Sequence, residues 1–407
     1  MYDLILKGGA VMDPAQQING VMDIAVEKGM IAKIAPNIPD ADARKTISVT
    51  GNLVTAGLID IHTHVLSGFT RLGADPDLVG VYAGVTTMAD AGSAGCNSWA
   101  GFAQHVLPKA QTEVYAFLNV GSNGMITFPE VVEPKDIDVD RTIRVINANK
   151  SWVKGVKLRM TDPMLTVMGL EAVRLAVKMA RDTGTLMMVH IGDHTAKYPY
   201  ELVRKMFDML GPGDTVTHIW AGGHNTLLDG NGKVAQEAKD AQARGVWMDV
   251  GHGQGHVDFS LVKTITDQGI LPQSISTDIS RPGRVRTVHG MAEMMTRSLA
   301  LGFSLEDTIT WSTSGPASAL GEEKRIGSLQ VGRQADISVL ELREGDWLLR
   351  DTSNNTLSAK KAFIPVLTLK KGAEFYPEWG PRPWGWEPDS ATLPLPEVPA
   401  FADPRFD

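Results

Sequence analysis

Two histidines one residue apart close the apolar run "TAGLIDIHTH", which spans Thr55 to His64. Residues i and i+2 of an extended strand project to the same side, so His62 and His64 face one way, and two imidazoles on one face can share a metal ion. A lone histidine is more often a satisfied core residue. This chain has ten, at 62, 64, 105, 190, 194, 218, 224, 252, 256 and 289, and all but His105 and His289 fall at or just beyond the ends of apolar runs. Imidazole suits Zn, Fe or Ni, so the pattern points to a metal centre.

"MMVHIGD" ends its apolar run on His190 and "TVTHIW" on His218, one candidate ligand from each. "SISTDIS" puts Asp278 in the same position, where a carboxylate could ligate metal and exchange a proton with bound water. The competing role for Asp278 is a helix N-cap. Arg281, Pro282 and Gly283 follow in what reads as loop, which weakens that alternative. "SWVKGVKLR" offers Lys154 and Lys157, which face opposite ways on a regular strand. A strand lysine is usually a surface residue, but a neutral amine can add carbon dioxide to form a carbamate able to bridge two divalent ions. Lys157 lies nearer the end of its run and shares a face with Arg159, so it is the candidate.

Eight apolar runs position these residues: "GLIDIHTH", "VTTMAD", "VYAFLN", "WVKGVKLR", "LMMVHIGD", "TVTHIW", "GVWMDV" and "QSISTD". Their polar ends, His64, Asp90, Asn119, Lys157, His190, His218, Asp249 and Asp278, follow one another at 26 to 38 residues, the length of a strand, a helix and two loops. Amphipathic stretches such as "GLEAVRLAVKMARDTG" lie between them and read as helices stopped by glycine. The expectation is an α/β fold: a (β/α)8 TIM-like barrel whose C-terminal mouth carries the site.

Residues 1–54 read instead as short Val- and Ile-rich strands, and the same pattern resumes over 327–375. These segments predict one small β-sandwich domain, split around a catalytic barrel at 55–326. Residues 376–407, dense in Pro and Trp, predict an extended C-terminal arm without helix or central strand.

Composition narrows the function. Of 407 residues 43% are hydrophobic and 21% charged, an ordinary globular balance. No apolar run nears the length of a membrane span. The formal charge of -8 argues against nucleic-acid or anionic-membrane partners and favours a small-molecule substrate. Cys96 is the only cysteine, which excludes an intrachain disulfide, and the N-terminus lacks the basic and apolar regions of a signal peptide. A cytoplasmic, homo-oligomeric enzyme is expected.

The combination of "GLIDIHTH", the lysine of the fourth run, His190, His218 and "STD", with "ITWSTSGPASALG" and "IGSLQVGRQADISVL", resembles the amidohydrolase superfamily over nearly the whole chain before the Pro-rich tail. The stretches "GVKLRM", "MMVH", "GPGDTVTH", "DVGHG" and "SISTD" are most similar to its amidohydrolase/deacetylase, dihydroorotase-like branch. The resemblance implies two divalent metal ions, zinc by expectation. His62, His64 and Asp278 would hold one, His190 and His218 the other, and Lys157 would bridge them as N6-carboxylysine. It further implies attack of a metal-held hydroxide on a carbonyl, with Asp278 as general base and then acid. Where relatives often read "THCFNG", this chain has "THIWAGGHN", which places Trp220 on the same strand face as His218 and predicts a different pocket.

Arg71, Arg159, Arg281, Arg284 and Arg286 fall near the ends of runs or in loops of an acidic protein, which suggests a carboxylate-bearing substrate held by guanidinium. Any one of them is more often a surface residue, Arg159 excepted. Asn119, Trp220, His252 and Arg281 complete the expected pocket wall. The expected reaction is hydrolysis of an acyl group, acetyl by preference, from a small carboxylate-bearing ester or amide. The alternative is ring opening of a cyclic amide. A non-catalytic scaffold with this fold is disfavoured, because all six ligand positions are filled.

Overall fold

The computed structural model describes residues 1–193, 198–284 and 286–377. His194 and nearly all of the Pro/Trp-rich segment at 376–407 lie outside them.

The chain opens with five strands, β1 (Leu4–Asp13), β2 (Ile18–Glu27), β3 (Met30–Ala35), β4 (Thr46–Ser48) and β5 (Leu53–Ala56). Seven more follow: β6 (Leu58–Thr63), β7 (Val85–Ala91), β8 (Glu113–Asn119), β9 (Val153–Arg159), β10 (Leu186–His190), β11 (Thr215–Thr217) and β12 (Trp247–Asp249). The described chain ends with β13 (Ile337–Arg350), β14 (Thr356–Lys370) and β15 (Ala373–Phe375).

These strands form two sheets. The first and last groups share one mixed sheet in the order β15-β14-β13-β5-β1-β2-β3, with β4 paired to β1. The junction is β5, which pairs parallel to β1 and antiparallel to β13, so chain segments nearly 300 residues apart meet there. One face of this sheet buries Leu4, Leu6, Val11, Ile24 and Val54 against Ile337, Val339 and Leu367.

Strands β6 to β12 lie side by side in sequence order, all parallel, as a curled sheet. β6 and β7 are buried at every residue, as expected of parallel strands covered on both faces. Further along the sheet, a helix covers β9 and β10. Helix Leu170–Thr183 buries Ala172, Val173, Ala176, Met179, Ala180 and Thr183, an i, i+3, i+4 stripe, against the sheet. It stops at Gly184, whose φ of 61° places it in the left-handed region while its amide caps the Ala180 and Arg181 carbonyls.

The eighth expected strand, "QSISTD", is not a regular strand. It makes a single bridge from Ser274 to Asp249 at the end of β12, and the residue that follows the run, Ile279, makes another to Thr63 of β6. Backbone bonds from Asp278 N–H to the His62 carbonyl (2.7 Å) and from His64 N–H to the Ile279 carbonyl (2.9 Å) tie it to the far edge of the sheet. Side chains replace the rest of the ladder. Ser274 and Ser276 hydroxyls donate to Asp249, both at 2.6 Å, and the Thr277 hydroxyl donates to Asp60 at 2.6 Å. Asp278 itself has φ 49°, which no extended strand allows. Among the described residues no helix is long and apolar enough to cross a membrane.

Candidate metal centre

β6, β9 and β10 carry His62, Lys157 and His190 towards one end of the curled sheet, and the loops after β6, β11 and β12 bring His64, His218 and His256 to them. Asp278 joins from the bridging segment.

The ligand-type side chains fall into two groups. In the first, one carboxylate oxygen of Asp278 lies 3.4 Å from His62 Nε2 and 3.0 Å from His64 Nε2. The second contains His190, His218 and His256, and within each group the candidate donor atoms lie within 4.8 Å of one another. The groups adjoin, the His62 and His218 rings standing 5.0 Å apart. Lys157 Nζ lies 3.1 Å from His62 Nε2. All six ligands expected from the sequence therefore meet in one place.

Hydrogen bonds settle which imidazole nitrogens carry the hydrogen and which the lone pair. The Thr217 hydroxyl gives its only hydrogen to Asp249 (2.6 Å), so its oxygen can only accept from His62 Nδ1 at 2.9 Å. That leaves the lone pair on His62 Nε2, the atom facing Asp278. His218 Nδ1 donates to the Gly251 carbonyl at 2.5 Å, and its Nε2 is buried with no hydrogen-bond partner among the described residues. His190 Nε2 donates to the Gly192 carbonyl at 3.3 Å, which leaves the lone pair on Nδ1. Burial, reinforced by neighbouring positive charge, holds His62, His190 and His218 well below the ordinary imidazole range, so all three are neutral. Buried neutral imidazoles with oriented lone pairs and an orphaned nitrogen are what a divalent cation requires, and the donor set fits one.

Lys157 is 1% exposed. Burial pushes its ammonium down to about 7; Asp278 opposes that shift and Arg159 adds to it. The neutral amine is thus well populated near neutrality. Lys154 faces the other way, over the Tyr115 ring and paired with Glu322, as strand alternation requires.

Backbone geometry at the site is unusual at two ligand positions. His218 (φ 74°) and Asp278 (φ 49°) both occupy the left-handed region, which costs about 1–3 kcal/mol for such residues and is kept where the surroundings over-determine it. Close approach also depends on Gly253, in the left-handed region at φ 55°. A Cβ there would stand 2.2 Å from Asp278 Oδ2.

A cavity of about 190 Å³ opens over the centre, lined by His62, His64, Lys157, His190, His256 and Asp278 together with Arg71, Phe128, Arg159, Gln254 and others. Arg159 binds Glu130 at 2.8 Å. The Arg159 and Arg71 guanidinium carbons lie 5.1 and 5.3 Å from the centre of the Phe128 ring, which is 54% exposed.

The other expected wall residues sit elsewhere. Asn119 lines a recess beside Glu130 and Arg159, but its amide is spent on the Gly92 carbonyl (3.0 Å) and the Gly121 N–H (2.8 Å). Trp220 is buried and stacked on Phe303 at 5.7 Å. Strand alternation had placed it beside His218, but β11 ends at Thr217 and the left-handed turn at His218 breaks the alternation. His252 is buried between the Gly253 carbonyl and the Arg297 guanidinium. Arg281 begins a short helix, Arg281–Arg284, its backbone N–H on the Leu72 carbonyl, outside the cavity lining. His256, Phe128 and Gln254 were not singled out from the sequence. For His256 the signal was present in "GHGQGH", where two histidines stand four residues apart.

Comparison with known proteins agrees with this architecture. The model of the amidohydrolase family matches residues 53–374, and the chain belongs to that family. It is therefore a hydrolase acting on amide or ester bonds. A protein of Brucella anthropi named a deacetylase is 31% identical over 349 residues, 84% of this chain and 85% of its own. A deacetylase of Agrobacterium fabrum is 30% identical over 340 residues, 83% of this chain and 82% of its own. Among solved structures, one of a dihydroorotase superposes with a TM-score of 0.81 at 27% identity, covering 92% of this chain and 99% of the other. One of an adenine deaminase gives 0.84 at 28% identity, covering 92% and 100%.

Proposed function

We propose that the protein is a binuclear metal-dependent hydrolase that removes an acyl group, acetyl by preference, from a small carboxylate-bearing ester or amide. The observation that carries this reading is the pair of adjoining ligand groups with Lys157 against His62, beneath a cavity edged by two arginines. His62, His64 and Asp278 would hold one ion, His190 and His218 the second, and carboxylated Lys157 would join them. In the same reading, residues 273–279 close the curled sheet into an eight-membered barrel, and the mixed sheet of β1–β5 and β13–β15 forms the split sandwich domain.

Two divalent ions so placed would supply an acidified water and polarise the scissile carbonyl. The protein's part is positional and acid–base. Asp278, beside His62 and His64, takes the proton of the attacking water and returns it to the leaving oxygen or nitrogen. Arg159 and Arg71 face the cavity as a cationic edge for the substrate carboxylate, and the Phe128 ring between them offers an apolar wall. The deacetylase names of relatives at about 30% identity support the acyl assignment.

Ring opening of a cyclic amide is the second reading, favoured by the likeness to the dihydroorotase structure. The deciding experiment is a panel of N-acyl amino acids and O-acyl hydroxy acids against cyclic ureides and imides, assayed with metal-loaded protein. Turnover of the acyl compounds alone is expected. Turnover confined to the cyclic amides would replace the first reading with the second.

A further inference from the structure

We propose that His256 is a third imidazole ligand of the ion held by His190 and His218, making the second site of this chain a three-histidine site. The inference rests on the binuclear reading above and adds to it a ligand from the loop after β12.

The geometry is specific. The His256 ring centre lies 4.1 Å from that of His218 and 4.7 Å from that of His190, and donor atoms of the three lie within 4.8 Å of one another. Metal–nitrogen bonds of about 2.1 Å place tetrahedral ligands about 3.4 Å apart, so modest side-chain rotation brings all three onto one ion. The group already contains His218 Nε2, a buried nitrogen without a hydrogen-bond partner among the described residues. His256 also lines the cavity, so an ion bound there would remain open to substrate.

The loop is built for this approach. Backbone bonds from His252 N–H to the Ser276 carbonyl (3.2 Å) and from Gly253 N–H to the Thr277 carbonyl (2.9 Å) moor it against the segment that carries Asp278. The His256 N–H reaches back to the His252 carbonyl at 3.3 Å, turning the chain so that His256 points to the cavity while His252 points to Arg297. A Cβ at Gly253 would come within 3.0 Å of His256 Cδ2 as well as onto Asp278, so this glycine lets both side chains stand at the centre. Three imidazoles and a bridging carbamate make a nitrogen-rich donor set that can still take a further ligand from the cavity, which favours Zn over Mg or Ca at this position.

The test is metal binding rather than turnover. Wild-type, His256→Ala and His256→Gln proteins are titrated with Zn in a metal-buffered solution, bound metal is counted per chain, and folding is checked by circular dichroism. The cobalt(II)-substituted forms are compared by visible absorption. In both variants the first equivalent should be retained and the affinity for the second reduced at least tenfold, with a changed cobalt spectrum. Two equivalents bound as tightly as in wild type, with an unchanged spectrum, would overturn the assignment. Wild-type protein that hydrolyses nothing when loaded with metal would sink the wider reading instead; an active two-ion enzyme indifferent to His256 would sink only this one.

Discussion

Lys157 Nζ stands 3.1 Å from His62 Nε2, and both side chains are 1% exposed. An ammonium has no lone pair to offer that nitrogen, and His62 Nδ1 already donates to Thr217, so the pair is stable only with Lys157 donating to a neutral imidazole or with the amine chemically altered. Burial of Lys157 outweighs the opposing charge of Asp278 and pushes it towards the neutral amine, the form that adds carbon dioxide.

Substitution of Lys157 is therefore expected to be specific in its damage. Lys157→Ala should lose metal and at least about a hundredfold in kcat/KM, more than loss of a supporting residue alone. Short carboxylic acids should restore part of both, since they can occupy the space of a carbamate. Unchanged metal content and rate in the variant would remove Lys157 from the centre.

Asp278→Asn separates binding from proton transfer. The amide oxygen can still face His62 and His64, so metal should be partly kept, while kcat falls by about 10² to 10⁴, the usual worth of a general base. Intact turnover would show that another group moves the proton.

The two arginines at the cavity edge should act on affinity. Arg159→Gln and Arg71→Gln are each expected to raise KM for carboxylate-bearing substrates about tenfold, with kcat less affected, and to leave neutral esters nearly untouched. Equal losses on charged and neutral substrates would point to a structural role, for Arg159 through its Glu130 pair.

Acid stability should depend on Glu293. Burial alone would raise this carboxyl, but Arg297 at 2.6 Å and the neighbouring His289 outweigh it and hold it well below the ordinary carboxylate range. A folded-state pKa below the unfolded value means stabilisation that is present above the ordinary carboxylate pKa and lost as pH falls through and below it. Glu293→Gln should lower stability by about 3–5 kcal/mol at neutral pH, because Arg297 stays buried unpaired, and should flatten the acid limb of a Tm-against-pH curve. An acid limb as steep as that of wild type would count against the assignment.

Arg297 also gives Glu293 a link to the site. The same guanidinium reaches the Thr287 and Arg350 carbonyls and His252, and so joins the loop after β12 to the β13–β14 hairpin. His252, expected as pocket wall, thus serves as an anchor of the loop that presents His256.

Residue type and spacing by themselves determined the candidate ligands His62, His64, Lys157, His190, His218 and Asp278, because strand alternation and the strand–helix repeat are local properties that periodic apolar runs encode. The parallel order of β6 to β12 was legible for the same reason. Tertiary structure alone decided which loop residues join them. The left-handed turn at His218 ends the alternation that aims Trp220 at the pocket, and a left-handed turn at Asp278 with side-chain bonds to Asp60 and Asp249 takes the place of an eighth regular strand. His256 becomes part of the centre only through the curl of the sheet and the turn at Gly253, contacts between segments that no repeat within the chain records.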